Sequence, residues 1–195
     1  GAYFSHLDGG QVSALHWFGG GFQNNGGAGL MLDNGARDMS VDGAKFVGNA
    51  GGGINAEMGI TSVSNSDFSD NHGSAIAIQN YGNFNNNTFE STGAQTVGIS
   101  GWLNGNATVV GNTSTWHGAG TDPTTLANLQ GYGNVYATGD TGKIVTGSSL
   151  SLSGLGGGDA ASVTHSSSGV ALPSLSAVTS ATTAAPAATH TGSPV

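Results

Sequence analysis

Asp33 and Glu57 are the residues of this chain whose types and spacing best suit chemistry, each lying eleven places after a phenylalanine, Phe22 or Phe46. If the chain returns on itself once per phenylalanine, the two carboxylates stand side by side at about 4.8 Å, the distance between neighbouring strands. Carboxyls that close raise one another's pKa, which separates a general acid from a nucleophile. Retaining glycosidases hold such a pair about 5 to 5.5 Å apart, so the expected spacing admits that reaction. The same pair also suits a calcium site, or two solvated side chains. Gln79 and Ser100 continue this column after Phe68 and Phe89, and two places further on Gly35, Gly59, Tyr81 and Trp102 form a second one. Glycines beside the acids leave a trough open, and the rings beyond them offer flat faces to the apolar side of a sugar. The competing reading is that Tyr81 and Trp102 cover each other and shield a turn.

What must position these residues is a repeat. Phe22, Phe46, Phe68 and Phe89 are spaced by 24, 22 and 21 residues. Eight places after each stands Leu30, Ile54, Ile76 or Val97, and ten places after stands Leu32, Ala56, Ile78 or Ile99. Five places before comes Trp17, Val41, Val63 or Phe84; three places after come Asn25, Asn49, Asn71 and Thr92. A polar column three places before runs from Gly19 and Gly43 to Asn65 and Asn86. Apolar residues paired two apart follow the strand period, and a unit of about 22 residues cannot bury its apolar face alone. The expected fold is all-β: a parallel solenoid of short strands, with Asn25, Asn49 and Asn71 forming a ladder of side-chain hydrogen bonds along one turn.

The pattern V-x-N-x-x-F-x-x-N-x-G-x-x-I-x-I, spelled out from Val63 to Ile78, resembles the right-handed parallel β-helix of pectate-lyase-like enzymes and many phage tailspikes. The resemblance covers residues 12–117 and implies an extracellular polysaccharide as partner. It supplies no reaction. The Asn65-Ser66-Asp67 and His72-Gly73 stretches echo pieces of the polygalacturonase set, but they fall on one coil, whereas those enzymes spread them over several. A lyase would need a base such as Lys45 or Arg37 and a means of neutralising the uronate carboxylate. Arg37, Gln79, Tyr81 and Trp102 are therefore the candidate sugar contacts, and Asp33 and Glu57 the candidate acid and nucleophile or calcium ligands.

Composition excludes several classes. Three Lys and Arg stand against eleven Asp and Glu, giving a formal net charge of −8. Three scattered cations, Arg37, Lys45 and Lys143, cannot neutralise the phosphates that nucleic-acid binding requires. A polyanionic sugar meets the same repulsion unless cations bridge it. There is no cysteine, so disulfides and thiolate metal sites are absent. No apolar run reaches the length of a membrane span. The six histidines show no metal-ligand spacing, Gly154–Ala160 is a single copy of a motif that binds calcium only in tandem, and Gly139–Ile144 lacks the ends of a phosphate loop. Lys45 and Asp67, each one place before its phenylalanine, are expected to pair on adjacent coils.

Along the chain, residues 1–120 are expected to be solenoid, opening within a coil and so implying upstream coils or an oligomer. Thr115 or Trp116 takes the phenylalanine place after Phe89. Residues 121–147 are expected to be a loop and cap, although Thr121 or Asp122 followed by Pro123 also offers a helix start, and two short strands follow. Residues 148–195, rich in Ser, Thr, Ala and Gly, read as a flexible tail in which Leu150–Leu155 adds one strand. Two functions are compatible with this reading: a carbohydrate-active β-helix on the cell surface or outside the cell, or a non-catalytic adhesin module serving as a rigid spacer.

Overall fold

The computed structural model describes residues 1–5, 12–33, 36–119, 124–147, 150–153 and 164–166. Gly35, the candidate helix start at 121–123 and nearly all of the expected tail lie outside them. The described strands pair in parallel and wind into a solenoid with three faces, with no helix. The first face stacks Ala2–Phe4, Leu30–Leu32 and Ile54–Ala56, and the second stacks His16–Phe18, Ser40–Asp42 and Ser62–Ser64. Further along, the two faces merge in the long bent strands Gly73–Asn85 and Gln95–Val110. The third face stacks Gly21–Gln23, Lys45–Val47, Asp67–Ser69, Thr88–Ser91 and Thr113–Trp116.

Each face contributes an apolar column to the core. On the third, the rings of Phe22, Phe46, Phe68 and Phe89 stack at 5.0, 4.8 and 5.2 Å. On the second, Trp17, Val41, Val63 and Phe84 stand in register, and Val109 and Ala137 extend the column. The turn from the second face to the third places Gly43, Asn65 and Asn86 at φ of 66, 51 and 55°. Only Gly and Asn tolerate that left-handed backbone readily, which explains the column three places before each phenylalanine.

The first face corrects the register expected from counting. Leu30, Ile54 and Ile76 align, but the next partner is Ile99 and not Val97, and Ile78 faces Gly101 and not Ile99. Phe68 to Ile76 is 8 residues and Phe89 to Ile99 is 10, so this turn holds two more. The phenylalanine rings give the reason. The residue before each inward aliphatic lies against a ring, and a Cβ at Gly53 or Gly98 would come within 2.8 or 3.0 Å of Phe68 or Phe89. The chain slides until Gly98 reaches that place, leaving Val97 half-buried and Ile99 fully buried.

Polar ladders hold the coils in step. Asn49 is fully buried; its Oδ1 accepts from the backbone and side-chain N–H groups of Asn25 at 3.1 and 2.6 Å, and its Nδ2 donates to Asn71 Oδ1 at 2.8 Å and Phe22 O at 3.0 Å. Asn71 repeats the pattern with Gln95, so Gln95 and not Thr92 is the fourth rung. Thr92 instead bonds to Asp70. A second ladder, missed in the sequence, runs through Ser66, Asn87, Asn112 and Asp140 at the opposite end of the third face.

The solenoid also continues past residue 117. Ser114, not Thr115 or Trp116, pairs with Phe89. In place of the expected loop and cap, Thr125–Gly131 is a strand whose Leu126, Ala127 and Leu129 are fully buried, because its pairing with Gln95–Val110 satisfies backbone groups that a loop would leave to water. Gly133–Thr138, Ile144–Gly147 and Leu150–Ser153 add further rungs.

Two substitutions probe this core in urea titrations. Phe68→Ala should lower stability by about 3 to 5 kcal/mol by opening a cavity in the ring stack. Asn49→Ala should lose about 1 to 3 kcal/mol for each buried backbone group it orphans, whereas Gln23→Ala, at an exposed strand position, should lose far less.

Candidate functional site

Where the first face bends toward the second, each strand ends on an inward residue followed by one pointing to solvent. The inward series Leu32, Ala56, Ile78, Gly101 and Leu129 is in register, so the residues that follow, Asp33, Glu57, Gln79, Trp102 and Gln130, line one outer edge. Direct pairing of Gln79 with Trp102, and of Trp102 with Gln130, continues that line. Gly101 makes the register possible: a Cβ there would meet Ile78 O at 2.4 Å, so no other residue fits without moving the strand.

Asp33 and Glu57 are brought together as their spacing predicts. Hydrogen bonding with the Asp33 carboxyl, desolvation and the charge of Asp33 push the Glu57 pKa up from its ordinary 4.5. Asp33 also accepts from the Tyr3 hydroxyl at 2.8 Å, a bond that raises the tyrosine pKa. Tyr3 was not expected in the site. Its only sequence signal was its place in the weak alternation Ala2–Phe4, which the structure pairs with Leu30–Leu32.

Two neighbouring carboxyls that raise the pKa of one member have the electrostatics of an acid pair, in which like charges do not ionise together readily. Calcium takes about six to eight oxygens, so backbone carbonyls or amides would have to join the pair; among the described residues no group of three His, Cys, Asp or Glu side chains could hold a metal.

The aromatic residues are rearranged relative to expectation. Trp102 belongs to the column of the acids, beside Gln79, and not to that of Tyr81; the two extra residues before Ile99 move it there. Trp102 and Tyr81 do not cover each other. Tyr81 is half-buried over Gly59, whose added Cβ would meet the ring at 3.1 Å. Trp102 meets Tyr132 edge to face at 6.3 Å and 83°, and both stay exposed, at 53% and 62%. Tyr132 was also missed, because its segment was read as a cap. Gln79 is exposed on the same edge. The Arg37 side chain lies outside the described residues, although its backbone pairs with Ser13.

Elsewhere, Lys45 and Asp67 form the expected exposed pair at 3.5 Å on the third face. His117 stands 3.9 Å from Glu90. Asp42 accepts from Asn65 and Ser64, bonds that lower its pKa. Among the described residues no helix is long and apolar enough to cross a membrane. No protein-family model, curated protein or solved structure matches the chain. The β-solenoid assignment therefore rests on its register.

The raised Glu57 pKa has a measurable consequence. A folded pKa raised above the ordinary 4.5 of Glu57 means stability fully present below that pH and lost as pH rises through the folded value. The stability of the wild type relative to Glu57→Gln should therefore fall as pH is raised above 4.5, read as a difference in urea midpoint across the acidic range. A difference that stays flat would contradict the raised pKa.

Proposed function

We propose that this is an extracellular or cell-surface β-solenoid that engages a polysaccharide along the outer edge formed by Asp33, Glu57, Gln79, Trp102 and Gln130. The observation that carries the reading is the arrival of Trp102 in the column of the acid pair. A ring platform, amide donors and acceptors and a carboxyl pair then follow one another on a straight, open edge. Rungs about 4.8 Å apart present these groups as a periodic row, which suits a periodic polymer. Aromatic faces bind the apolar sides of sugar rings, and amides and carboxyls bind hydroxyls.

The resemblance to pectate-lyase-like β-helices points the same way, toward an extracellular carbohydrate. With no reaction motif carried over from the resemblance, binding is favoured over cleavage, with Asp33 and Glu57 as hydroxyl ligands. In a cleaving enzyme, Glu57 would donate the proton and Asp33 would act as the nucleophile. The second reading, a non-catalytic adhesin or spacer module, draws on the place of a groove of about 370 Å³, which lies away from this edge on the third face, beside Lys45, Asp67 and Glu90.

A polysaccharide panel separates these readings, scored for retention and for release of reducing ends or unsaturated uronates by wild type and by Asp33→Asn with Glu57→Gln. Carbohydrate engagement predicts retention by the wild type, weakened in the double variant. Release that disappears in the variant would make the pair catalytic, and a folded full-length chain that retains nothing would leave the spacer reading. Fractionation of cells making the full-length protein should place it outside the cytoplasm.

A further inference from the structure

We infer that the outer edge takes an uncharged polysaccharide, not a uronate polymer, with Trp102 and Tyr132 as its platform; this rests on the carbohydrate reading above and names its substrate class.

Three observations lead there. The first is charge. The one ionisable cluster on the edge is Asp33 with Glu57, which keeps a negative charge even with Glu57 protonated, within a chain of net charge −8. A polymer of carboxylates laid along this line meets repulsion that only bound cations could relieve. The described cationic side chains are not placed to help. Lys45 is engaged with Asp67 on the third face, and Lys143 precedes Ile144 at the other end of the first-face strands, where its carbonyl accepts from Leu126.

The second is the aromatic pair. Trp102 and Tyr132 are held edge to face, so they present two differently tilted apolar surfaces next to each other and remain largely exposed. Tyr132 is fixed by its backbone N–H, which donates to Leu103 O at 2.7 Å. Rings anchored through their own backbone lose little freedom when a sugar stacks on them.

The third is the polar lining, which near the rings consists of amides. Gln130 donates to Asn128, and Asn104 donates to Asn80 at 2.9 Å. Each amide pair keeps unused donors and acceptors facing solvent. Neutral amides bind hydroxyls in both directions, whereas a carboxylate is held most strongly by arginine or lysine.

Affinity electrophoresis of the full chain through gels containing neutral glucan, xylan or mannan, or else polygalacturonate with and without calcium, tests the inference at low and high salt. Retention by at least one neutral polymer is expected, insensitive to salt and weakened about tenfold in Trp102→Ala, while Trp102→Phe keeps most of it and both variants keep the wild-type melting temperature. Preferential retention by polygalacturonate, or neutral binding that survives both Trp102→Ala and Tyr132→Ala, would overturn this inference and leave the carbohydrate reading standing. Retention by no polymer of either kind would overturn the carbohydrate reading, and the inference with it.

Discussion

A buried amide that accepts a backbone N–H and donates to a backbone carbonyl of the preceding coil holds the rungs of this solenoid in step. Asn49 and Asn71 each make this set of bonds at a turn that no water reaches. Removing one would leave unpaired polar atoms in the core, so the ladder fixes where each coil begins. The phenylalanine stack then fixes where each first-face strand must sit, since its rings admit only small residues beside them. Every outward position, including the candidate site, inherits its neighbours from these two constraints.

The fold was legible because its core columns are chemically uniform. Phe22, Phe46, Phe68 and Phe89 repeat one residue type, and Asn25, Asn49 and Asn71 repeat another, so a common period stands out. The register of the later coils was not legible, because Val97 and Ile99 are both apolar and either satisfies an alternation of two. What decides between them is the ring of Phe89 against Gly98, a contact between residues nine apart on different faces. The second ladder escaped notice for the opposite reason. Ser66, Asn87, Asn112 and Asp140 mix three residue types while their side-chain oxygens do one job, accepting the N–H of the preceding coil. At 124–131 local signals for a helix start gave way to strand pairing with a neighbour already in place, a tertiary effect that propensity does not contain.

The candidate site divides in the same way. The neighbourhood of Asp33 and Glu57 follows from the early coils, where phenylalanine spacing and first-face register agree, and it was predicted. The position of Trp102 follows from the coil that slips, and Tyr132 from one that counting had not extended to. The slip is what aligns a tryptophan with the carboxyls. The hydrogen bonding between Asp33 and Glu57 could not be read from spacing either, because strand separation sets the distance between backbones and not whether two side chains turn toward each other.

The register that unites acids and aromatics is open to direct measurement, since the chain has no cysteine of its own and an engineered pair has no competing thiol. Neighbours in register on adjacent strands lie within the roughly 4.4 to 6.8 Å between Cα atoms that a disulfide spans, whereas a partner two residues out of register lies beyond about 7 Å. Gln79→Cys combined with Trp102→Cys should therefore cross-link within one chain on mild oxidation, as mass mapping of the joined peptides would show, and Gln79→Cys combined with Ser100→Cys should not. Cross-linking of the second pair and not the first would return Trp102 to the column of Tyr81 and separate it from the acid pair.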